Sequence, residues 1–123
     1  MKAKIRRFHS PDLVWDNPGS ADARNFSVLL QVMVGPDNGP GEESFDVNVC
    51  DLDYLADRLK VEQAIAGRHH LLVDKFDNNA IEGYLGRQIE SIHASTWDAI
   101  VERVSRIGHW EFEDYTRYPS RSR

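Results

Sequence analysis

Hydrophobic and polar residues alternate along two stretches of the chain, on either side of a loop rich in glycine and proline. In the first stretch every second residue is apolar, namely Phe26, Val28, Leu30, Val32 and Val34. In the second, polar residues that include Asp46 and Asn48 alternate with Phe45, Val47 and Val49. Period-two patterning on both sides of such a loop predicts an antiparallel β-hairpin with one buried face. Asp46 and Asn48 are then expected to point outward.

The residues before this hairpin show weaker patterns. Residues 2–9, KAKIRRFH, alternate weakly and predict an edge strand, whose lysines and arginines discourage unwanted pairing. Residues 10–24 contain two prolines and a glycine among acids, which predicts a loop. We therefore expect three strands before residue 51.

Three later segments have the spacing and the capping residues of helices. Asp51 is the predicted N-cap of a short helix with three leucines on one face, Leu52, Leu55 and Leu59. Asp77 is placed to cap a second helix with a recurring apolar face, Ile81, Leu85, Ile89 and Ile92. The S-x-x-D sequence from Ser95 to Asp98 has the form of a capping box and opens a third helix. Its expected buried stripe is Trp97, Ile100, Val101, Val104 and Ile107.

Two more strands complete the predicted fold. The segment 68–76, RHHLLVDKF, follows Gly67 and reads as a strand. Gly108 stands where a helix-ending glycine belongs, and the alternation after it places Trp110 and Phe112 on one side of a closing strand. The other side then carries His109, Glu111, Glu113 and Tyr115. The sequence predicts one α+β domain over residues 1–123, a mainly antiparallel sheet packed against two or three helices, with 117–123 as a flexible basic tail.

The composition, 41% apolar and 28% charged, is that of a soluble globular protein. Unbroken apolar runs reach only three residues, whereas a helix that spans a membrane needs about 20. Cys50 is the single cysteine, so it cannot form an intrachain disulfide, and no local sequence marks it as a nucleophile. We therefore expect a cytoplasmic protein that does not bind membranes.

The charge is unevenly distributed around a formal net value of −5. Between Arg24 and Arg58 there is no lysine or arginine, while that interval holds seven acids, Asp37, Glu42, Glu43, Asp46, Asp51, Asp53 and Asp57. Such a field repels nucleic acid and attracts basic partners. The basic segments at the two ends are too short, on so acidic a chain, to indicate nucleic-acid binding.

Residue types that catalyse reactions or bind metals are present without the pattern that either role requires. His69 and His70 are adjacent, so a strand would point them to opposite faces. Glu90 and His93 have the E-x-x-H spacing of di-iron helical bundles, but the chain lacks a second such motif. The loop 35–41 lacks the residue order of a phosphate-binding loop. We expect no catalytic residue, metal ligand or cofactor, and a small metal- or carboxylate-dependent enzyme is the alternative.

Five sequence segments together show a family resemblance: RRFHSPD at 6–12, NFSVLLQVMVGP at 25–36, GEESFDVNVC at 41–50, GRHHLLVDKFD at 67–77 and SRIGHWEFEDY at 105–115. The set resembles the immunity protein 8 family of bacterial polymorphic toxin systems, over nearly the whole chain. The resemblance implies a non-enzymatic protein that binds the effector domain of a cognate toxin in the producer's cytoplasm. It does not specify the activity of that toxin.

The acidic charge is consistent with such a partner, because a toxin that cuts nucleic acid tends to have a basic cleft into which an acidic inhibitor would be steered. We therefore expect the partner-binding residues to be Asp46, Asn48, Asp51, Asp53, Asp57, Glu111, Glu113 and Tyr115. Whether the first five adjoin the last three depends on the strand order, which the sequence leaves open. A scaffold that self-assembles through the edge of the N-terminal strand is a further alternative.

Overall fold

The computed structural model describes residues 1–17 and 23–112 of the chain. Over these residues it contains five strands and three helices in one α+β domain, as the sequence predicts. The elements are β1 Ala3–His9, β2 Ser27–Pro36, β3 Glu43–Cys50, α1 Leu52–Glu62, β4 His70–Leu72, α2 Asn78–Ile89, α3 Trp97–Val104 and β5 His109–Trp110.

The five strands form one mixed sheet with the order β1-β2-β3-β4, in which β5 also pairs with β3. The pairs β1–β2 and β2–β3 are antiparallel, so the predicted hairpin and N-terminal strand are confirmed. β4 runs parallel to the second half of β3, and α1 makes the crossover between them. β5 pairs with the first half of β3. Because β2 occupies one edge of β3, β4 and β5 share the other edge, one after the other.

The core lies on one face of this sheet. Seven of the eight predicted inward residues of the hairpin are at most 8% exposed, namely Val28, Leu30, Val32, Val34, Phe45, Val47 and Val49. The eighth, Phe26, is partly buried against them. One face of α2 and one face of α3 are buried with them, Ile81, Leu85, Ile89, Ile100, Val101 and Val104. Complete burial of such a side chain contributes about 1.5–3 kcal/mol before entropy is subtracted. The sheet and two helices therefore hold the molecule together.

Helix α1 does not join this core. The predicted N-cap is correct, since the Asp51 side chain accepts a hydrogen bond from the Tyr54 N–H. Yet none of the eleven residues of α1, all of which the structure describes, is buried. Leu52 is 69% exposed and Leu59 is 45% exposed. Helical periodicity identifies the leucine face, but it carries no information about what would cover that face.

Three predicted element boundaries in the C-terminal half of the chain are wrong. The N-cap of α3 is Thr96, whose hydroxyl accepts from the Ala99 N–H at 3.2 Å, and not Ser95. β4 is only three residues long, and His69 before it adopts a left-handed backbone with φ of 68°, which an extended strand cannot contain. β5 contains two residues, and Phe112 after it is 44% exposed. Residues 113–123, including the predicted tail, lie outside the described residues.

The outer edge of β1 is covered over its first half. The Ala3 N–H donates to the Ile92 carbonyl at 3.0 Å, and the Ala94 N–H donates to the Met1 carbonyl at 3.0 Å. The Glu90 carboxylate accepts the Ile5 N–H at 2.9 Å. These bonds take up the backbone groups that a second copy would need, which weakens the scaffold alternative at this edge.

Each of the three tryptophans donates its indole N–H to a glutamate. Trp15 bonds to Glu82 at 2.6 Å. Trp97 and Trp110 bond to the two oxygens of Glu43, at 2.5 and 2.7 Å. Glu43 therefore ties the start of α3 and the closing strand to the start of β3. Two of the chain's acids thus have structural roles.

Candidate functional site

The face of the sheet opposite the core is the first part of the candidate surface. Its side chains on β2 and β3 are half-buried, Leu29, Gln31, Met33, Ser44, Asp46 and Asn48. Asp46 and Asn48 therefore lie on the outward face, as the alternation predicts. The strand register places Asp46 opposite Gln31, and Asn48 opposite Leu29.

The pairing of β5 with β3 places one acid of the C-terminal segment, Glu111, next to the acids of β3. His109 is the register partner of Asp46. The backbone N–H of Glu111, just beyond β5, donates to the Ser44 carbonyl at 3.2 Å. This bond places Glu111, which is exposed, beside Ser44 on the outward face of β3. Glu113 and Tyr115 lie outside the described residues.

The Asp46 carboxyl sits in a polar cluster where β4 and β5 meet along β3. Burial raises the pKa of this carboxyl, while the nearby His109 and a hydrogen bond from Gln31 act in the opposite direction. The ring of His69 lies edge-on to that of His109, with centroids 5.4 Å apart. The Nε2 atom of His69 is 2.7 Å from the Ser105 carbonyl oxygen. Asp46 is therefore partly desolvated and held in place before any partner arrives.

Asp51 differs from the other acids of the predicted set, because it is only 7% exposed. Its carboxylate accepts backbone N–H groups from Tyr54 at 3.0 Å, Asn25 at 2.8 Å and Phe26 at 3.3 Å. Burial alone would raise the pKa of this carboxyl, but these donors together hold the pKa below its ordinary value of 3.8. Asp51 thus joins the start of α1 to the strand before it, and its geometry favours a positioning role.

Replacing Asp51 by alanine is expected to lower the free energy of unfolding at neutral pH by about 2 kcal/mol, because a cap and two further acceptors are lost. The depressed pKa means that the contribution of Asp51 is complete above pH ~4 and is lost as the pH falls through the folded-state value. Asp51→Asn keeps a capping oxygen but does not titrate. The free energy of unfolding of this variant should therefore fall less steeply at low pH than that of the unsubstituted protein. Urea unfolding between about pH 2 and 7 measures this dependence, and Asp53→Asn is the control. If the free energy of unfolding of Asp51→Asn depends on pH as it does in the unsubstituted protein, the prediction is contradicted.

Asp53 and Asp57 are exposed on α1. Asp57 accepts a short hydrogen bond from the Asn25 amide and lies 3.7 Å from the Lys60 ammonium. Asp53 has no hydrogen-bond or ion-pair partner among the described residues. It is the acid of this pair whose charge is the more available to another molecule.

Four residues that line two hollows near Asp53 are missing from the site that the sequence predicts, Leu52, Leu72, Asp74 and Tyr84. Two hollows of about 420 and 640 Å³ adjoin at the end of β4 and share Leu72, Val73 and Asp74. Leu52 and Asp53 line the smaller hollow, and Tyr84 lines the larger one. The sequence places Leu52 on a helix face and Leu72 and Asp74 in a long strand, and it indicates no role for Tyr84. Leu52 stands between two acids in the sequence and Leu72 stands two residues before Asp74, but many surfaces share such spacing.

The residues considered for catalysis or metal binding occupy positions that stabilise the fold. Within the described residues, no group of three or more His, Cys, Asp or Glu side chains could hold a metal ion. Glu90 accepts the Ile5 N–H, as described above. Cys50 is fully buried, and burial, together with the adjacent Asp51, raises the pKa of its thiol. A thiol kept protonated in this way is a poor nucleophile.

The fold and this surface define a small α+β protein with acidic and apolar groups exposed on its surface. The sequence model of the family described as Immunity protein 8 matches residues 3–115, so the chain belongs to that family. No curated protein and no solved structure matches the chain. None of the helices in the described part of the chain combines the length and the apolarity needed to cross a bilayer.

Proposed function

We propose that this protein is a cytoplasmic immunity protein that binds the effector domain of a cognate toxin and neutralises it by stoichiometric complex formation, without catalysis of its own. The observation that carries the proposal is the family match, which extends over residues 3–115. The acidic, partly apolar surface supports it, because such a surface suits a protein partner with exposed basic groups.

The proposed interface centres on the outward face of β3. Asp46 and Asn48 form its middle, and Glu111 lies beside them across the β3–β5 pair. Asp53 and Asp57 border it on α1. Asp51 orients the start of α1 from beneath the surface, and Glu113 and Tyr115 extend the proposed interface beyond the described residues. A carboxylate that is already partly desolvated, such as Asp46, loses less hydration on binding than a free surface acid.

We propose a toxin with a basic surface, of the kind that nucleases use to hold phosphates. An acidic inhibitor would be drawn to such a surface at a high association rate that falls with added salt. The direct test is isothermal titration of the pure protein with the inactivated toxin domain encoded beside its gene, together with co-expression of the two. We expect one-to-one binding and restored growth. Absence of both binding and protection would overturn the proposed function.

Reversing the charge of Asp53 by Asp53→Lys is expected to slow association with that toxin domain by about three- to tenfold at low salt, because steering depends on the local field. The difference should shrink as ionic strength rises and the Debye length falls below about 8 Å. Asp98→Lys on α3 is the matched control, since it makes the same change in net charge at another exposed acid. Stopped-flow or interferometric rates measure both; equal slowing by the two variants would remove Asp53 from the interface.

A further inference from the structure

The two hollows at the end of β4 form one continuous groove, which we call the β4 groove. Its smaller part lies between the start of α1 and β4, and its larger part lies between β4 and α2. Leu72, Val73 and Asp74 belong to both parts. The groove therefore follows β4 from one neighbouring helix to the other.

Apolar side chains along this groove are exposed to an unusual degree. Leu52 is 69%, Leu72 is 50% and Tyr84 is 43% exposed. Large apolar residues that converge on one concave surface, framed by polar groups, are typical of sites that another chain covers. Tyr84 in addition combines a large apolar ring with a hydroxyl, as anchor residues at interfaces often do.

β4 also presents a free strand edge to this groove. The Val73 N–H donates to the Cys50 carbonyl at 3.0 Å, which directs that residue's N–H toward β3. Because successive backbone groups of a strand point to opposite sides, the N–H and C=O of Leu72 point away from β3. β4 is the last strand at its end of the sheet, and no described strand pairs with that outer side. Such an edge is a template for an added strand.

The charge of the groove selects the kind of chain that would fit. Four acids line it, Asp51, Asp53, Asp74 and Asp77, against two cations, Arg24 and Lys75. Asp53 and Asp74 have no hydrogen-bond or ion-pair partner among the described residues. A second copy of this protein would bring the same excess of acids to the contact, so like charges would oppose each other. A partner segment with lysine or arginine would not meet this penalty.

We propose that the β4 groove binds an extended segment of the toxin that carries both basic and apolar side chains, added as a strand beside β4. This inference rests on the proposed function and identifies a second contact, beyond the outward face of β3. An apolar side chain of the segment lies between Leu72 and Tyr84. Basic side chains pair with Asp53 and Asp74, and the backbone bonds to the free groups of Leu72.

The first test compares two equally drastic surface substitutions in binding to the inactivated toxin domain encoded beside this gene. Leu72→Arg puts a bulky charge in the groove, and Val61→Arg puts the same group on α1 at a position that is 81% exposed and lines neither hollow. We expect Leu72→Arg to weaken binding about tenfold or more and Val61→Arg to change it by no more than about twofold. Thermal unfolding of both variants checks that each is folded.

The second test measures the strand pairing directly by amide hydrogen exchange. In the complex of the unsubstituted protein, the Leu72 N–H should exchange about tenfold more slowly, since it gains a partner, while the already bonded Val73 N–H changes little. Loss of affinity in Leu72→Arg without slower exchange at Leu72 in that complex would overturn strand addition. Equal affinity of the two arginine variants would overturn the groove and leave the proposed function standing.

Two further results would each overturn the groove proposal in a different way. Failure of the unsubstituted protein to bind the toxin domain would overturn the proposed function, and the groove proposal with it. Light scattering of the protein alone tests whether a second copy occupies the groove. A dimer that Leu72→Arg dissociates would show that a second copy fills it.

Discussion

Replacing Glu43 by alanine is expected to lower the free energy of unfolding by about 2–4 kcal/mol, since hydrogen bonds to a charged group are each worth about 1.5–3 kcal/mol and the site is only part-buried. The substitution leaves the indole N–H groups of Trp97 and Trp110 without their acceptor. It also releases α3 and β5 from the start of β3. Glu43→Gln, which retains one carbonyl oxygen, should fall between the wild type and Glu43→Ala.

Urea unfolding followed by tryptophan fluorescence measures this series. The neighbouring Glu42→Ala is the control, because the Glu42 carboxylate makes a surface ion pair with Arg7 at 2.9 Å. Exposed pairs of this kind contribute about 0–1 kcal/mol. Equal losses in Glu42→Ala and Glu43→Ala would contradict the structural role of Glu43.

Replacing Gly108 by valine is expected to lower the free energy of unfolding by about 3 kcal/mol, through overpacking against β3. A Cβ atom on Gly108 would lie 3.0 Å from the Phe45 Cβ and 3.0 Å from the Val47 Cγ2, and both residues are buried in the core. The two further methyl groups of valine would have still less space. The glycine is thus required for close approach to β3, and not for the left-handed turn that its position after the helix suggests.

Gly86→Ala in α2 is the matched control, with an effect of opposite sign. An added Cβ there meets no atom within 4 Å, and alanine favours a helix over glycine by about 0.5–1 kcal/mol. We therefore expect Gly86→Ala to raise the unfolding midpoint and Gly108→Val to lower it. Destabilisation of similar size in both variants would show that loss of glycine itself, and not contact with Phe45 and Val47, is responsible.

Much of the fold could be predicted because local patterns carry it. The alternation from Phe26 to Val34 identifies β2 and its buried face, and the spacing from Ile81 to Ile89 identifies α2. Boundaries are less accurate, since Ser95 and Thr96 are both good caps and only the backbone geometry selects Thr96. The predicted strand at 68–76 is too long, because the length of β4 is limited by pairing with β3 and by the left-handed backbone of His69.

The candidate site could be predicted only in part. The outward direction of Asp46 and Asn48 follows from alternation alone. Acidic character could not distinguish Asp53, whose carboxylate is exposed, from Asp51, which is buried under three backbone donors, although the two stand two residues apart. Leu72 and Tyr84 could not be recognised, because exposure of an apolar residue depends on which elements pack beside it.

The sequence by itself determined the class of fold, the acidic interval between Arg24 and Arg58, and the family. Residue periodicity, charge and characteristic sequence segments are properties of the linear chain and need no knowledge of its tertiary structure. Tertiary structure alone decided that β5 lies beside β3, that Glu43 anchors two tryptophans, and that β4 leaves an edge open between α1 and α2. These are contacts between residues distant in sequence, such as Glu43 and Trp110. They depend on how the elements pack together, which no local pattern encodes.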